Sequence, residues 1–140
     1  MNFETSFINR LTCGSCPKNI FVVLVRTAGE VMKHNWGYIH VREGAEMFFL
    51  GYFTKNYQNR PLILWLQGGP GASSTGIGNI LEVGPTDLQG KTRKYSWTNL
   101  TSVIFVDSPV GTGYSYVWDK KILPTTDVAA AKDFYPDIYL

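Results

Sequence analysis

Pro61-Leu62-Ile63-Leu64-Trp65-Leu66-Gln67-Gly68-Gly69-Pro70-Gly71-Ala72-Ser73-Ser74 is the stretch on which the fold turns. Residues 61–66 are a short apolar run bounded by Pro and Gly, the pattern of a strand buried on both faces. The run stops at Gln67-Gly68-Gly69-Pro70-Gly71, a backbone too permissive to continue a strand. Ser73 or Ser74 then caps a helix. Ile77, Ile80 and Leu81 fall on one face of it, and Gly84-Pro85 ends it, with Gly84 as a left-handed cap.

Working outward, Ser102-Val103-Ile104-Phe105-Val106 is a second apolar strand that ends at Asp107-Ser108-Pro109. A Gly- and Tyr-rich loop follows from Val110 to Tyr116. Thr126 caps a further helix, Asp127 favours its N-terminal dipole, and Val128, Ala131 and Tyr135 share a face until Pro136 breaks it. Upstream, Trp36–Val41 and Glu46–Phe53 flank the turn signal Glu43-Gly44 and read as a β-hairpin. Residues 1–34 read as a leader or poorly ordered segment. Within it, Ile20–Val25 is either a strand or a cut-down signal core. Residues 35–140 then form one α/β domain: a hairpin, followed by the first central strands of a mostly parallel sheet. Ligands of such sheets sit beyond the carboxyl ends of the strands, where both Gly-rich loops fall.

Composition narrows the function classes. With 44% hydrophobic and 17% charged residues in 140, the chain has the makings of a core. A net charge of +2 without a basic run gives nucleic-acid binding no support. The longest apolar run is far short of the roughly 18 residues of a membrane span, and no clear signal peptide is present. Cys13 and Cys16 have the spacing of a redox pair, but no clear strand precedes them and no second ligand pair accompanies them. An adventitious pair is the preferred reading, and no metal or cofactor is expected.

The loop at Gln67–Gly71 suits an anion. Glycines let backbone N–H groups point at a negative oxygen, and a helix N-terminus adds partial positive charge. A phosphate would call for Gly-Lys-Ser/Thr, and no lysine lies between Lys55 and Lys91. The oxyanion of a tetrahedral intermediate is the other candidate. An ordinary strand-to-helix turn stays open beside both.

The quoted stretch resembles the W-L-(N/Q)-G-G-P-G-x-S-S block of serine carboxypeptidases. Glu82-Val83-Gly84-Pro85 resembles that family's E-x-G-P, and Trp97–Tyr116 resembles its block ending D-(S/N)-P-V-G-x-G-(F/Y)-S-Y. Trp36-Gly37-Tyr38-Ile39 with Met47-Phe48-Phe49 resembles its opening hairpin. The similarity covers residues 36 to about 135. Gln67 and the loop Gly111–Tyr116 point to the retinoid-inducible-like branch. The resemblance implies a partial α/β-hydrolase fold and serine-type carboxypeptidase activity, the removal of C-terminal amino acids from peptides and proteins. It implies that the Gly69 N–H donates to the oxyanion and that Gln67, Gly68 and Glu82 hold the substrate's terminal carboxylate. Substrates would be peptide or protein C-termini, and the location the secretory pathway, lysosomal or extracellular.

Some features depart from the family pattern. Its G-x-S-Y-G/A-G nucleophile elbow is not among these residues, and neither are its Asp and His, so the 140-residue chain is expected to be inactive alone. A non-catalytic peptide-binding or relic pseudoenzyme fragment is the alternative. His34 and His40 match no catalytic position, and Ala72 stands where the family often has a half-cystine. Ser74 has the spacing of a relaxed nucleophile elbow but lacks apparent partners. Asp107 reads as a structural residue. Asn99-Leu100-Thr101 is an N-glycosylation sequon; because it adjoins a buried strand, a chance match is the preferred reading.

Overall fold

The structure, a computed structural model, describes residues 21–24, 33–55 and 57–134. Six strands follow in chain order: β1 (Phe21–Leu24), β2 (Lys33–Arg42), β3 (Ala45–Phe53), β4 (Leu62–Leu66), β5 (Ser102–Val106) and β6 (Tyr116–Val117). A helix of wide, π-type winding spans Ser74–Val83, and α1 spans Asp127–Lys132. The strands join in one sheet of order β1-β2-β3-β5-β4, with β6 also on β3. The undecided run within residues 20–25 thus contributes β1, antiparallel to β2.

Turn chemistry sets the sheet's direction. Gly44 takes φ 72 in the turn between β2 and β3, which pair antiparallel with Tyr38 opposite Phe48. A turn this short permits no other direction. β3 then pairs antiparallel with β5. Only β4 and β5, joined by a segment that includes a helix, are parallel, with Leu66 opposite Val106. The described sheet is therefore mixed, not mostly parallel. Parallel pairing needs a crossover, and only one joins sheet neighbours among the described residues.

Burial alternates along β3, as a half-buried strand requires. On one face Val41, Ala45, Met47, Phe49, Val106 and Val110 form the core, with Ile122 and Phe134 packed on it. Arg42 closes this side: its Nε donates to Asp133 Oδ1 at 2.7 Å and its Nη2 to the Ile122 carbonyl at 2.8 Å. The opposite face buries Val103 and Phe105 completely. Tyr52 meets the Phe105 ring edge-on there, and its hydroxyl accepts from Asn79 Nδ2 at 3.4 Å.

Three local expectations are corrected. β4 is not buried on both faces: Leu62, Leu64 and Leu66 are 57%, 48% and 48% exposed. β4 is the last strand of the described sheet, and the helix covers only its Ile63 and Trp65 side. Its outer edge is unpaired among the described residues, the arrangement that invites association. The helix also turns the other way from the expected apolar face. Ser74, Thr75, Gly78 and Asn79 are buried, while Ile77 and Leu81 are exposed. Small residues face the sheet because the indole of Trp65 lies against the helix: a Cβ on Gly78 would come within 2.4 Å of Trp65 Nε1. Finally, Gly84 has φ −70 and is not left-handed; its N–H closes the wide turn on the Asn79 carbonyl at 3.0 Å. Arg93 satisfies the carbonyls of Ile80 and Gly84 at 2.6 and 3.1 Å, as a cation at a helix C-terminus does.

α1 begins at its expected cap, with Thr126 accepting from the Ala129 N–H. Its expected apolar face is not inward: Val128 and Ala131 are exposed, and the buried anchor beside the helix is Asp133. Tyr135, Pro136, Cys13 and Cys16 lie outside the described residues. No described helix is long and apolar enough to cross a membrane.

The close helix–sheet approach is testable. Gly78→Ala should destabilise the chain by about 1–3 kcal/mol, as overpacking does. Leu81→Ala, on the outer side, should stay within about 0.5 kcal/mol. Urea denaturation midpoints measure both, and equal effects would contradict the packing described.

Candidate functional site

Parallel pairing brings the carboxyl ends of β4 and β5 side by side, so the loops 67–73 and 107–115 meet. Gly69 and Gly71 take φ 137 and 100. A Cβ on Gly71 would meet nothing within 4 Å, so backbone conformation, and not space, calls for glycine there. Residues 68–71 are exposed. No turn or cap hydrogen bond of the described residues uses the N–H of Gly68, Gly69 or Gly71.

A buried carboxylate joins the two loops. Asp107 is fully buried. Its Oδ1 accepts from Ser73 Oγ and the Thr75 N–H, both at 2.9 Å. Its Oδ2 accepts from Thr75 Oγ1 at 2.7 Å and the Tyr114 N–H at 3.0 Å. The Asp107 N–H donates to the Phe48 carbonyl at 3.0 Å, and its own carbonyl accepts from Ser115 Oγ. The Phe48 N–H in turn donates to Ser115 Oγ at 2.7 Å. Gly113 has φ 55, and a Cβ there would fall 2.2 Å from Asp107 Oδ2, so both backbone and space require glycine. Ser73 Oγ also accepts from the Gly76 N–H at 2.9 Å as the helix cap. Asp107 and Ser73 thereby take the N–H groups of Thr75 and Gly76 in the first helical turn.

A second network fixes Gln67. Its backbone N–H donates to Ser74 Oγ at 2.9 Å. Its Oε1 accepts from Trp65 Nε1 at 2.8 Å, and its Nε2 donates to Glu82 Oε1 at 3.2 Å. An indole N–H can only donate. It therefore sets which end of the Gln67 amide is oxygen and turns the NH₂ towards Glu82, with one hydrogen left over. Trp65 is itself held edge-on against Trp97, ring centroids 5.2 Å apart. Gly78 makes room for this arrangement, since a Cβ there would also press on Gln67 Oε1 at 3.2 Å.

Aromatic rings flank the junction. Phe48 lies 5.1 Å from Tyr114 and 5.2 Å from Tyr38, and Tyr38 lies 5.4 Å from Tyr116. Burial pushes the Tyr38 phenol up, and Tyr116, Tyr114 and Asp107 add to the rise. Burial also raises Tyr52, partly offset by Asn79, and lowers His34.

Gln67, Gly68, Gly69 and Glu82 therefore lie together at one end of the sheet. The histidines lie elsewhere on β2: His40 Nδ1 meets Glu46 Oε1 at 2.8 Å, and His34 packs on Tyr52. Ser74 is fully buried, with its hydroxyl on the Gln67 N–H. Asn99 is exposed at the end of a short 3₁₀ turn that precedes β5. Trp65 and the partners of Asp107 are contributors not read from sequence. Trp65 carried a signal, since residues two apart on a strand share a face.

Comparison with known proteins gives consistent matches. The family model described as serine carboxypeptidase matches residues 26–138, beginning upstream of the Trp36 motif. The chain is 50% identical over 105 residues to the retinoid-inducible serine carboxypeptidase of Mus musculus, covering 72% of this chain and 22% of that protein. It is 47% identical over 105 residues to serine carboxypeptidase-like 51 of Arabidopsis thaliana, covering 70% and 23%. With carboxypeptidase Y homolog A of Neurospora crassa it shares 40% over 110 residues, 74% and 19%. The chain thus spans about a fifth of the length of these relatives.

The Asp107 junction predicts a graded response. Asp107→Ala should cost about 3 kcal/mol or more, because several buried donors lose their acceptor. Asp107→Asn keeps one acceptor oxygen but turns an NH₂ towards a second donor. Amide hydrogen exchange should then quicken at Tyr114 more than at Thr75. Unchanged exchange at both would contradict the network.

Proposed function

Because the chain belongs to the serine carboxypeptidase family, we propose that Gln67, Gly68, Gly69 and Glu82 form the substrate-facing part of a serine-type carboxypeptidase. Its substrates are peptides and proteins with a free C-terminus, and its reaction is hydrolysis of the last peptide bond. The observation that carries this is the hydrogen bond from Gln67 Nε2 to Glu82 Oε1 at 3.2 Å, beside glycine N–H groups that no cap or turn uses.

Each group has a role that follows from its chemistry. The Gly69 N–H donates to the oxyanion as charge develops on the scissile carbonyl, and a donor already in place costs no reorganisation at that moment. The spare hydrogen of Gln67 Nε2 and the Gly68 N–H receive the terminal carboxylate, while Glu82 and Trp65 hold the Gln67 amide in position. Selectivity for chain ends follows: a mid-chain peptide would leave these polar groups unpaired. The same family reading carries a location in the secretory pathway, lysosomal or extracellular.

A second reading rests on Ser73, Ser74, His34 and His40. Ser74 is occupied by the Gln67 N–H and Ser73 by Asp107, while His34 and His40 face Tyr52 and Glu46. The 140-residue chain by itself then binds peptide C-termini without cleaving them.

One experiment separates the outcomes. The purified chain is mixed with a blocked dipeptide acid and, separately, with its amide. Hydrolysis is followed by chromatography, and binding by amide chemical shifts. No hydrolysis is expected, with shifts at Gly68 and Gly69 for the acid alone. Gln67→Ala should weaken acid binding roughly 10- to 100-fold, the span of a hydrogen bond to a charged group. Equal binding of acid and amide would overturn the carboxylate assignment, and hydrolysis would overturn the non-catalytic reading.

A further inference from the structure

We propose that Asn99 is an N-glycan acceptor, modified before β4 and β5 come together. The sequon Asn99-Leu100-Thr101 runs from the surface into the sheet. Asn99 is exposed at the end of the 3₁₀ turn Trp97–Asn99, one residue from exposed Leu100. Its Nδ2 donates to the Lys94 carbonyl at 3.0 Å. A primary amide has two N–H hydrogens, so one is left over. Glycosylation replaces one hydrogen and retains the other, and the bond to Lys94 survives it. Adjacency to a buried strand therefore does not count against this asparagine, because its side chain lies outside the sheet.

The third sequon residue sets the timing. Thr101 is only 6% exposed, and its hydroxyl donates to the Pro61 carbonyl at the start of β4. Leu100 is also engaged, its carbonyl accepting from Arg60 Nη1 at 2.8 Å. The transferase must read the Thr101 hydroxyl, which in the folded chain is buried and bonded. The acceptor is available only while β5 is not yet seated beside β4. The donor is a lipid pyrophosphate-linked oligosaccharide. The bond from its first sugar carbon to the pyrophosphate oxygen breaks, that carbon bonds to Asn99 Nδ2, and the lipid pyrophosphate leaves. One Nδ2 proton passes to a base of the transferase. The finished glycan stands beside Tyr95, Trp97 and Leu100, three exposed apolar side chains that it would screen from association.

Cell-free translation of the full chain with microsomes tests this, with a cleavable signal sequence added at the N-terminus. A second sequon serves as the control: Gly90→Asn completes one with Lys91 and Thr92, at an exposed turn where φ is 74 and a Cβ meets nothing. The unmodified sequence should gain one glycan, removable by peptide N-glycosidase, and the Gly90→Asn chain two. Asn99→Gln and Thr101→Ala should each remove one, and Thr101→Ser should keep both. Purified folded chain given to the same transferase in permeabilised microsomes should gain none at Asn99. If the Gly90→Asn chain carries a single glycan that Asn99→Gln does not remove, the site is overturned. Modification of the folded chain as complete as that of the nascent chain would overturn the timing.

Discussion

The carboxylate of Asp107 accepts from Ser73, twice from Thr75, and from the Tyr114 backbone, with no solvent contact. A buried acceptor of this kind is costly unless every nearby donor is aligned with it. That constraint sets the position of two loops and the start of a helix at once. It also explains why Gly113 tolerates no side chain and why Ser73, not Ser74, serves as the cap. Ser74 is left free to hold the Gln67 backbone. The glycine loop is thus anchored at both ends.

The hairpin supports this junction from below. The Asp107 N–H donates to the Phe48 carbonyl, and the Ser115 hydroxyl bridges the Phe48 N–H and the Asp107 carbonyl. β3 is therefore both a core strand and the floor of the site. On the other side, Trp65 serves packing and polarity together. Its ring lies against Gly78 and Trp97, and its N–H orients Gln67 towards Glu82. Helix placement and side-chain orientation at the site are consequences of one contact.

Much of this was legible in the sequence. The hairpin at Glu43-Gly44, the apolar strand at residues 102–106 and the cap at Thr126 came through because turn residues and β-branched runs act locally. The motif around Gln67–Gly71 pointed to the family that the comparisons show. Burial was less legible. The run Leu62–Leu66 is apolar throughout, so its pattern could not say that one face would lie open at the end of the described sheet. The helix Ser74–Val83 buries small residues because Trp65 occupies the space in front of it, a tertiary effect that no helical period encodes. Asp107 reads as structural in the sequence, but Ser73 and Thr75 lie more than thirty residues before it and could not be paired with it without the fold.

If Gln67 and Gly68 receive a terminal carboxylate as proposed, that recognition depends on the Asp107 junction although Asp107 is fully buried. Calorimetric titration of a blocked dipeptide acid into the wild-type chain and into folded Asp107→Asn tests it most directly. The account predicts clearly weaker binding by the variant, through loosening of the loop that carries Gly68 and Gly69. Equal affinity of the two chains would contradict it.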